Sequence, residues 1–294
     1  MKITKFLAIA LMAMTLTGCL DHDDDANEVT RTFTYDQCFA VVQDVITGEK
    51  TIVEKPKVTV LMVSSNSKFT GQITLTNFQL PNLPNYTYEL PATAVSEQTA
   101  DNIMRIESAQ MIPTNLSGAS VLFSNVKMGI LQLGYLINGQ VMLRPSFSLH
   151  FEYNGKYRVD VYPLEQTMYA VTTTNPESDP SDVFTTQETT YTYQFDPATQ
   201  KCSIEIKGAK FVAEMPAMDM KFPGIPFISD NGTLKLSIPE LTPTIREVEY
   251  PQFPITDLAA SFTPLQNSTL TFSCNPGGRG LYGVTAALQY TSVQ

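Results

Sequence analysis

Phe147-Ser148-Leu149-His150-Phe151-Glu152-Tyr153-Asn154-Gly155-Lys156-Tyr157-Arg158-Val159-Asp160-Val161 is the stretch from which the fold of this 294-residue chain can be read. Apolar and polar residues alternate on both sides of Asn154-Gly155. A strand turns successive side chains to opposite faces, so Phe147, Leu149 and Phe151 share one face while Ser146, Ser148 and His150 share the other. Asn-Gly supplies the left-handed residues of a tight turn. The stretch therefore predicts a β-hairpin.

The same period of two recurs away from this hairpin. Val58, Val60 and Met62 alternate with Thr59, Leu61 and Val63, and Ile73 and Leu75 with Thr74 and Thr76. Asn138-Gly139, Asp230-Asn231-Gly232 and Asn275-Pro276-Gly277-Gly278 mark further turns. Helix-like spacing is confined to Asp36 to Val45 and to Thr93 to Glu107, the second with Ser96 as N-cap and Glu97 and Asp101 near its positive end. The fold class is all-β.

Sliding the chain along itself lays Lys57-Val58-Thr59-Val60-Leu61-Met62 over Lys201-Cys202-Ser203-Ile204-Glu205-Ile206, and Phe78 over Phe222. A hairpin closes each half, Phe147 to Val161 in one and Leu270 to Ala286 in the other. Duplication explains this, and so would the general likeness of alternating strands. Thr172 to Asp182 has no large apolar residue and carries Pro176 and Pro180, so it predicts an exposed linker. The expected organisation is residues 1–18 as a signal, 19–29 as a tether, a β domain at 30–168, a linker at 169–183 and a second β domain at 184–294. Each domain has enough strands for an antiparallel barrel or sandwich. Pro239, Pro243, Pro251, Pro254 and Pro264 predict edges, turns or covering loops in the second half.

Lys2 and Lys5 precede an apolar run from Phe6 to Leu16, too short for a permanent membrane span. Leu16-Thr17-Gly18-Cys19 follows and resembles the lipobox of bacterial lipoproteins position by position. The resemblance implies a lipid on Cys19, cleavage before it, and attachment to the membrane through that lipid; an ordinary signal with an incidental cysteine is the alternative. Leu20 stands where the inner-membrane retention signal of enteric lipoproteins has Asp. Asp21, Asp23, Asp24 and Asp25 resemble the surface-export signal of Bacteroidota lipoproteins, which implies the outer membrane and its outer face. A solvated acidic tether explains the same run.

The formal net charge is −10, and loss of Lys2 and Lys5 with the signal would make it more acidic. Such a chain repels phosphate backbones, which argues against nucleic acid as a partner. Cys38, Cys202 and Cys274 remain besides Cys19. Cys202 and Cys274 are the pair that a disulfide would join, but three small buried side chains is the preferred reading. No C-x-x-C, H-E-x-x-H, G-x-S-x-G or phosphate-loop motif occurs, so neither a metal nor a cofactor is expected. His150 reads as a strand residue facing solvent or a lumen, and Glu247 and Glu249, beside Tyr250, as a solvated strand face. There are 13 Tyr, 16 Phe and no Trp. Tyr86 with Tyr88, and Tyr191 with Tyr193, are same-face pairs that would suit stacking of a ligand or packing within a barrel.

Phe69-Thr70-Gly71-Gln72-Ile73-Thr74-Leu75-Thr76-Asn77-Phe78 and Phe147 to Tyr162 resemble the calycin-like, lipocalin-like all-β lipoproteins of gut Bacteroidota. That resemblance implies antiparallel barrels or half-barrels and no established activity. The early Gly-x-Trp of lipocalins is missing. The functions expected are a non-catalytic envelope lipoprotein that binds an unknown ligand or envelope protein, a structural or adhesive subunit, or a carboxylate-dependent hydrolase.

Overall fold

The computed structural model describes residues 29–290 except 66–67, 84–85, 99–101, 117–120, 138–139 and 279. Among them there is no α-helix. The first eleven strands are β1 (Val29–Tyr35), β2 (Cys38–Asp44), β3 (Lys50–Glu54), β4 (Lys57–Ser65), β5 (Lys68–Phe78), β6 (Tyr86–Glu89), β7 (Thr93–Gln98), β8 (Ile103–Met111), β9 (Phe123–Ile137), β10 (Gln140–Tyr153) and β11 (Tyr157–Pro163). They form one open antiparallel sheet in the order β1-β4-β5-β7-β8-β9-β10-β11-β2-β3, with β6 beside β5.

The expected hairpin joins β10 to β11. Tyr153 pairs with Tyr157, and Asn154 and Gly155 both take positive φ, 49° and 63°. A second ribbon curls the sheet. β1 runs into β2 through Asp36 and Gln37, and β3 into β4 through Lys55 and Pro56, so the β2–β3 ladder bends and continues as the β1–β4 ladder. Strands that change direction in this way make the corners of folded sheets. The Cys38 thiol sits inside the bend against Pro56 O. The concave face encloses Val58, Val60, Ile73, Leu75, Phe123, Phe151 and Val159 among its buried residues.

The remaining strands are β12 (Glu165–Pro176), β13 (Phe184–Asp196), β14 (Lys201–Ala209), β15 (Met218–Asp230), β16 (Thr233–Leu241), β17 (Thr244–Ile245), β18 (Val248–Glu249), β19 (Ile255–Phe262), β20 (Ser268–Cys274) and β21 (Tyr282–Gln289). Eight of them close a barrel in chain order, from β12 through β13, β14, β15, β16, β19, β20 and β21 back to β12. Closure removes the free edges that an open sheet must protect. β17 and β18 form a small hairpin beside β15. Asn231 and Gly232, again both at positive φ, make the two-residue turn between β15 and β16. The 144-residue offset lays β4 over β14, and both strands bury their second, fourth and sixth residues.

Three expectations differ from the structure. Asp36 to Val45 holds strand β2, not a helix. Cys38, Ala40 and Val42 face the sheet's own core while Phe39 and Val41 face the barrel core, and a strand buried on both faces loses its alternation. Thr93 to Glu107 holds β7 and the start of β8, which pair with each other, so the helical spacing is that of two strands read as one segment. The segment 169–183 is not a linker throughout, because β12 extends to Pro176 as a barrel strand. Thr172 and Thr174 are buried, and Thr172 Oγ1 lies 3.2 Å from Tyr191 Oη, so a hydroxyl that finds a partner lets threonine line a core. The chain crosses between the units at Leu164, whose N–H donates to Gln37 O and whose carbonyl accepts from Phe195 N–H.

The crossing is tight because the two units share a core. At the end of the barrel where β13 and β15 finish and β14 and β16 begin, Phe39 and Tyr162 from the sheet lie over the mouth. Phe39 has ring centroids 5.3 Å from Tyr162 and 5.9 Å from both Phe195 and Phe227. Beside this seat Gly129 admits Leu265, held at φ 62° with its N–H donated to Tyr290 Oη; a Cβ on Gly129 would stand 2.8 Å from Leu265 Cδ1. Truncating Phe39 empties a site with no exposure at all. Phe39→Ala should lower stability by about 3–5 kcal/mol in urea unfolding, with sheet and barrel losing structure in one transition.

Candidate functional site

A ligand site in a small barrel is its lumen, and here side chains fill it. Tyr191, Tyr193, Ile204, Ile206, Phe222, Leu270 and Ala286 are buried within it. Phe39 and Tyr162 close one end. At the other, Phe211 on the loop after β14 and Phe253 ahead of β19 turn inward, with Phe211 5.4 Å from Phe272 and 6.2 Å from Phe253.

This corrects the aromatic platforms. Tyr191 and Tyr193 belong to the barrel core and Tyr88 to the sheet core, so none offers a face to a ligand. Their strand partners carry the signal: Tyr191 pairs with Ile206 and Tyr193 with Ile204, apolar residues that no solvated face would hold opposite them. Tyr86 alone of the four is exposed, at 45%, with its ring edge-on to Tyr88 at 6.4 Å. Burial holds the Tyr191 and Tyr193 phenols above their ordinary range and pushes Tyr88 up to about 12. Cys38, Cys202 and Cys274 are free and buried; Cys202 opens β14 and Cys274 ends β20, at opposite ends of the barrel.

The polar groups that do converge line the seam between sheet and barrel. His150 Nδ1 lies 2.7 Å from Asp160 Oδ1, and Arg158 Nε donates to Asp160 Oδ2 at 2.9 Å. Arg158 also reaches Asn231 Oδ1 at 3.4 Å in the barrel's β15–β16 turn. There Gly232 passes so close that a Cβ would meet Arg158 Nη2 at 3.0 Å and Asp160 Oδ1 at 3.1 Å. Lys50 Nζ donates to Ser229 O, and Tyr162 Oη is 3.3 Å from Ser229 Oγ. A His–Asp pair suggests a catalytic triad, which needs a hydroxyl on the histidine's other nitrogen. On the same face of β10, Ser146 Oγ instead donates to Gln166 Oε1, and Ser148 Oγ abuts Gly129. The arrangement joins the units by charge and hydrogen bonds. His150 lies on the expected face of β10, opposite Phe147, Leu149 and Phe151, and periodicity carries no sign that its partner Asp160 is crossed by the barrel's β15–β16 turn.

Glu247 and Glu249 lie on the exposed β17–β18 hairpin, Glu247 in its turn at φ 65°. Among the described residues no group of three or more His, Cys, Asp and Glu side chains is placed to hold a metal ion. A shallow groove of about 320 Å³ on the outer barrel wall is lined by Val171, Thr269, Ala287 and Gln289 among others. Leu16, Thr17, Gly18, Cys19 and Asp21, Asp23, Asp24 and Asp25 lie outside the described residues, as does the Asn138-Gly139 turn.

No protein-family model matches the chain. No curated protein matches it. Among solved structures it aligns with transferrin binding protein B from serogroup B Neisseria meningitidis at 9% identity and a TM-score of 0.23, over 91% of this chain and 79% of that one. It also aligns with a double mutant of transferrin binding protein B from Haemophilus parasuis at 7% identity and a TM-score of 0.23, over 90% of this chain and 77% of that one. A TM-score of 0.23 is too low for either likeness to inform the fold or function here.

The buried thiols make a test of the closed cores. Burial pushes Cys38, Cys202 and Cys274 from an ordinary value near 9 up to about 12. Well below pH 9 folded and unfolded thiols alike stay protonated, so nothing is lost. Between about 9 and 12 the unfolded thiols give up protons that the folded ones keep, which favours unfolding. Stability should therefore decline as pH rises through that window, and a thiol reagent at pH 8 should label these cysteines only after denaturant is added.

Proposed function

We propose that the chain is a lipid-anchored, non-catalytic protein of the bacterial outer membrane that binds a partner on its outer surface. One observation carries the binding mode: the lumen is filled and aromatic side chains cover both ends, which leaves a small ligand no interior to occupy. The anchor rests on Leu16-Thr17-Gly18-Cys19, and the outer membrane on Leu20 and the acidic run after it. Nine residues lie between Cys19 and Val29, where β1 begins, so the folded part would stand off the bilayer by up to about 35 Å of extended chain. Two or more acyl chains on one cysteine would hold it there.

The surface best suited to a partner is the barrel end remote from the sheet. Val183, Val248, Tyr250 and Leu281 are exposed around it. Glu177 N–H donates to Leu281 O, which ties two of its loops together. Exposed apolar side chains gathered on loops at one end of a rigid scaffold suit protein contact.

Two measurements test the reading. Chain extracted from membranes should carry the mass of a lipidated Cys19 with residues 1–18 removed, and Cys19→Ser should abolish both changes. Native mass spectrometry of the mature chain with envelope extract should show protein complexes that Val248→Asp weakens. A small-molecule mass retained on the monomer would overturn the surface mode.

A further inference from the structure

We propose that β3 is a dimerisation strand through which two copies of this chain pair edge to edge, antiparallel, about Ile52. β3 is the last strand of the open sheet; β2 covers one side of it, and among the described residues no strand covers the other. An uncovered edge is a row of backbone donors and acceptors set to accept another strand. Among the described residues the eight barrel strands are closed on one another and offer no such edge.

The sequence of this edge is complementary to itself. Lys50-Thr51-Ile52-Val53-Glu54 laid antiparallel on a second copy puts Ile52 opposite Ile52 and Thr51 opposite Val53. It also puts Lys50 opposite Glu54 twice, once on each side of the two-fold axis. Opposite charges facing across an antiparallel pair attract, and a two-fold axis doubles the effect. Both Lys50 and Glu54 are exposed. Lys50 also donates to Ser229 O, which takes one of its three donors and leaves the others to spare.

The surroundings fit a second copy as well. Ile46, in the turn between β2 and β3, is 78% exposed, and Ile228, next to Ser229, is 64% exposed. The Asp44 carboxylate accepts from the Ile46 and Thr47 amides, which fixes the turn. Apolar side chains thus flank the free edge on both the sheet and the barrel. A five-residue strand with two flanking contacts gives a small interface, so the dimer should be weak and reversible.

Sedimentation equilibrium on residues 19–294, with Cys19→Ser so that no lipid is attached, tests this up to about 0.5 mM. The chain should pass reversibly from monomer to dimer. Lys50→Glu and Glu54→Lys should each weaken the dimer at least about tenfold, through two repulsive pairs apiece, and the double exchange Lys50→Glu with Glu54→Lys should restore it. Glu54→Lys leaves the Ser229 contact untouched, so its effect reports the pairing even if Lys50→Glu disturbs the fold. A chain that stays monomeric throughout overturns the proposal. So does a dimer indifferent to Glu54→Lys, or a double exchange no tighter than the single variants.

Discussion

The seat of Phe39 over the barrel mouth is the contact on which the molecule depends. Its ring meets Tyr162, from its own sheet, and Phe195 and Phe227, from two barrel strands. Aromatic pairs at these spacings add to the area they bury. Phe39 is therefore a core residue of both units. β2 and β11 serve two interiors, with Ala40, Val42, Val159 and Val161 facing one and Phe39, Val41 and Tyr162 the other. The His150–Asp160–Arg158 cluster and Lys50 rim the same seam with polar contacts to the β15–β16 turn. With a single residue, Leu164, between the last strand of the sheet and the first of the barrel, the two units have little freedom to part.

The legible part of the fold is the part in which apolar and polar residues alternate along the strand. Phe147 to Val161 alternates, turns at Asn154-Gly155 and is found as the expected hairpin. β4 and β14 alternate and are strands. Strands that break the rule do so for physical reasons. β2 has no wet face, so its apolar run imitates a helix. β12 uses threonines where a core was not expected, because Tyr191 supplies a partner for Thr172. Pairing between units is invisible to periodicity, and so was the role of Asp160, which sits where a surface charge would be until the barrel turn is laid across it.

Of the candidate ligand residues, Tyr88, Tyr191 and Tyr193 are core side chains and Tyr86 is exposed, for a related reason. Two tyrosines on one face of a strand are as suitable for a core as for a platform, and the strand across the ladder decides between them. Ile204 and Ile206 settle Tyr191 and Tyr193. The prolines were easier to place, since each lacks a donor. Pro239 lies in β16 beyond the point where its ladder to β15 has ended, and Pro243 precedes the β17–β18 hairpin.

The barrel is a meander in which every pairing but one joins strands close in sequence. The exception is β12 with β21, the seam that makes the wall continuous, joining Tyr169 to Gln289 and Pro176 to Tyr282. A chain that emerges N-terminus first completes the sheet, and with it the seat for the barrel, long before β21 exists. Throughout that interval β12 presents a bare edge, and β13 through β20 can only curl from it as an open ribbon. Closing so distant a pair is slow compared with forming hairpins. How long the barrel remains an open ribbon is thus set by topology, through the wait for β21 to pair with β12.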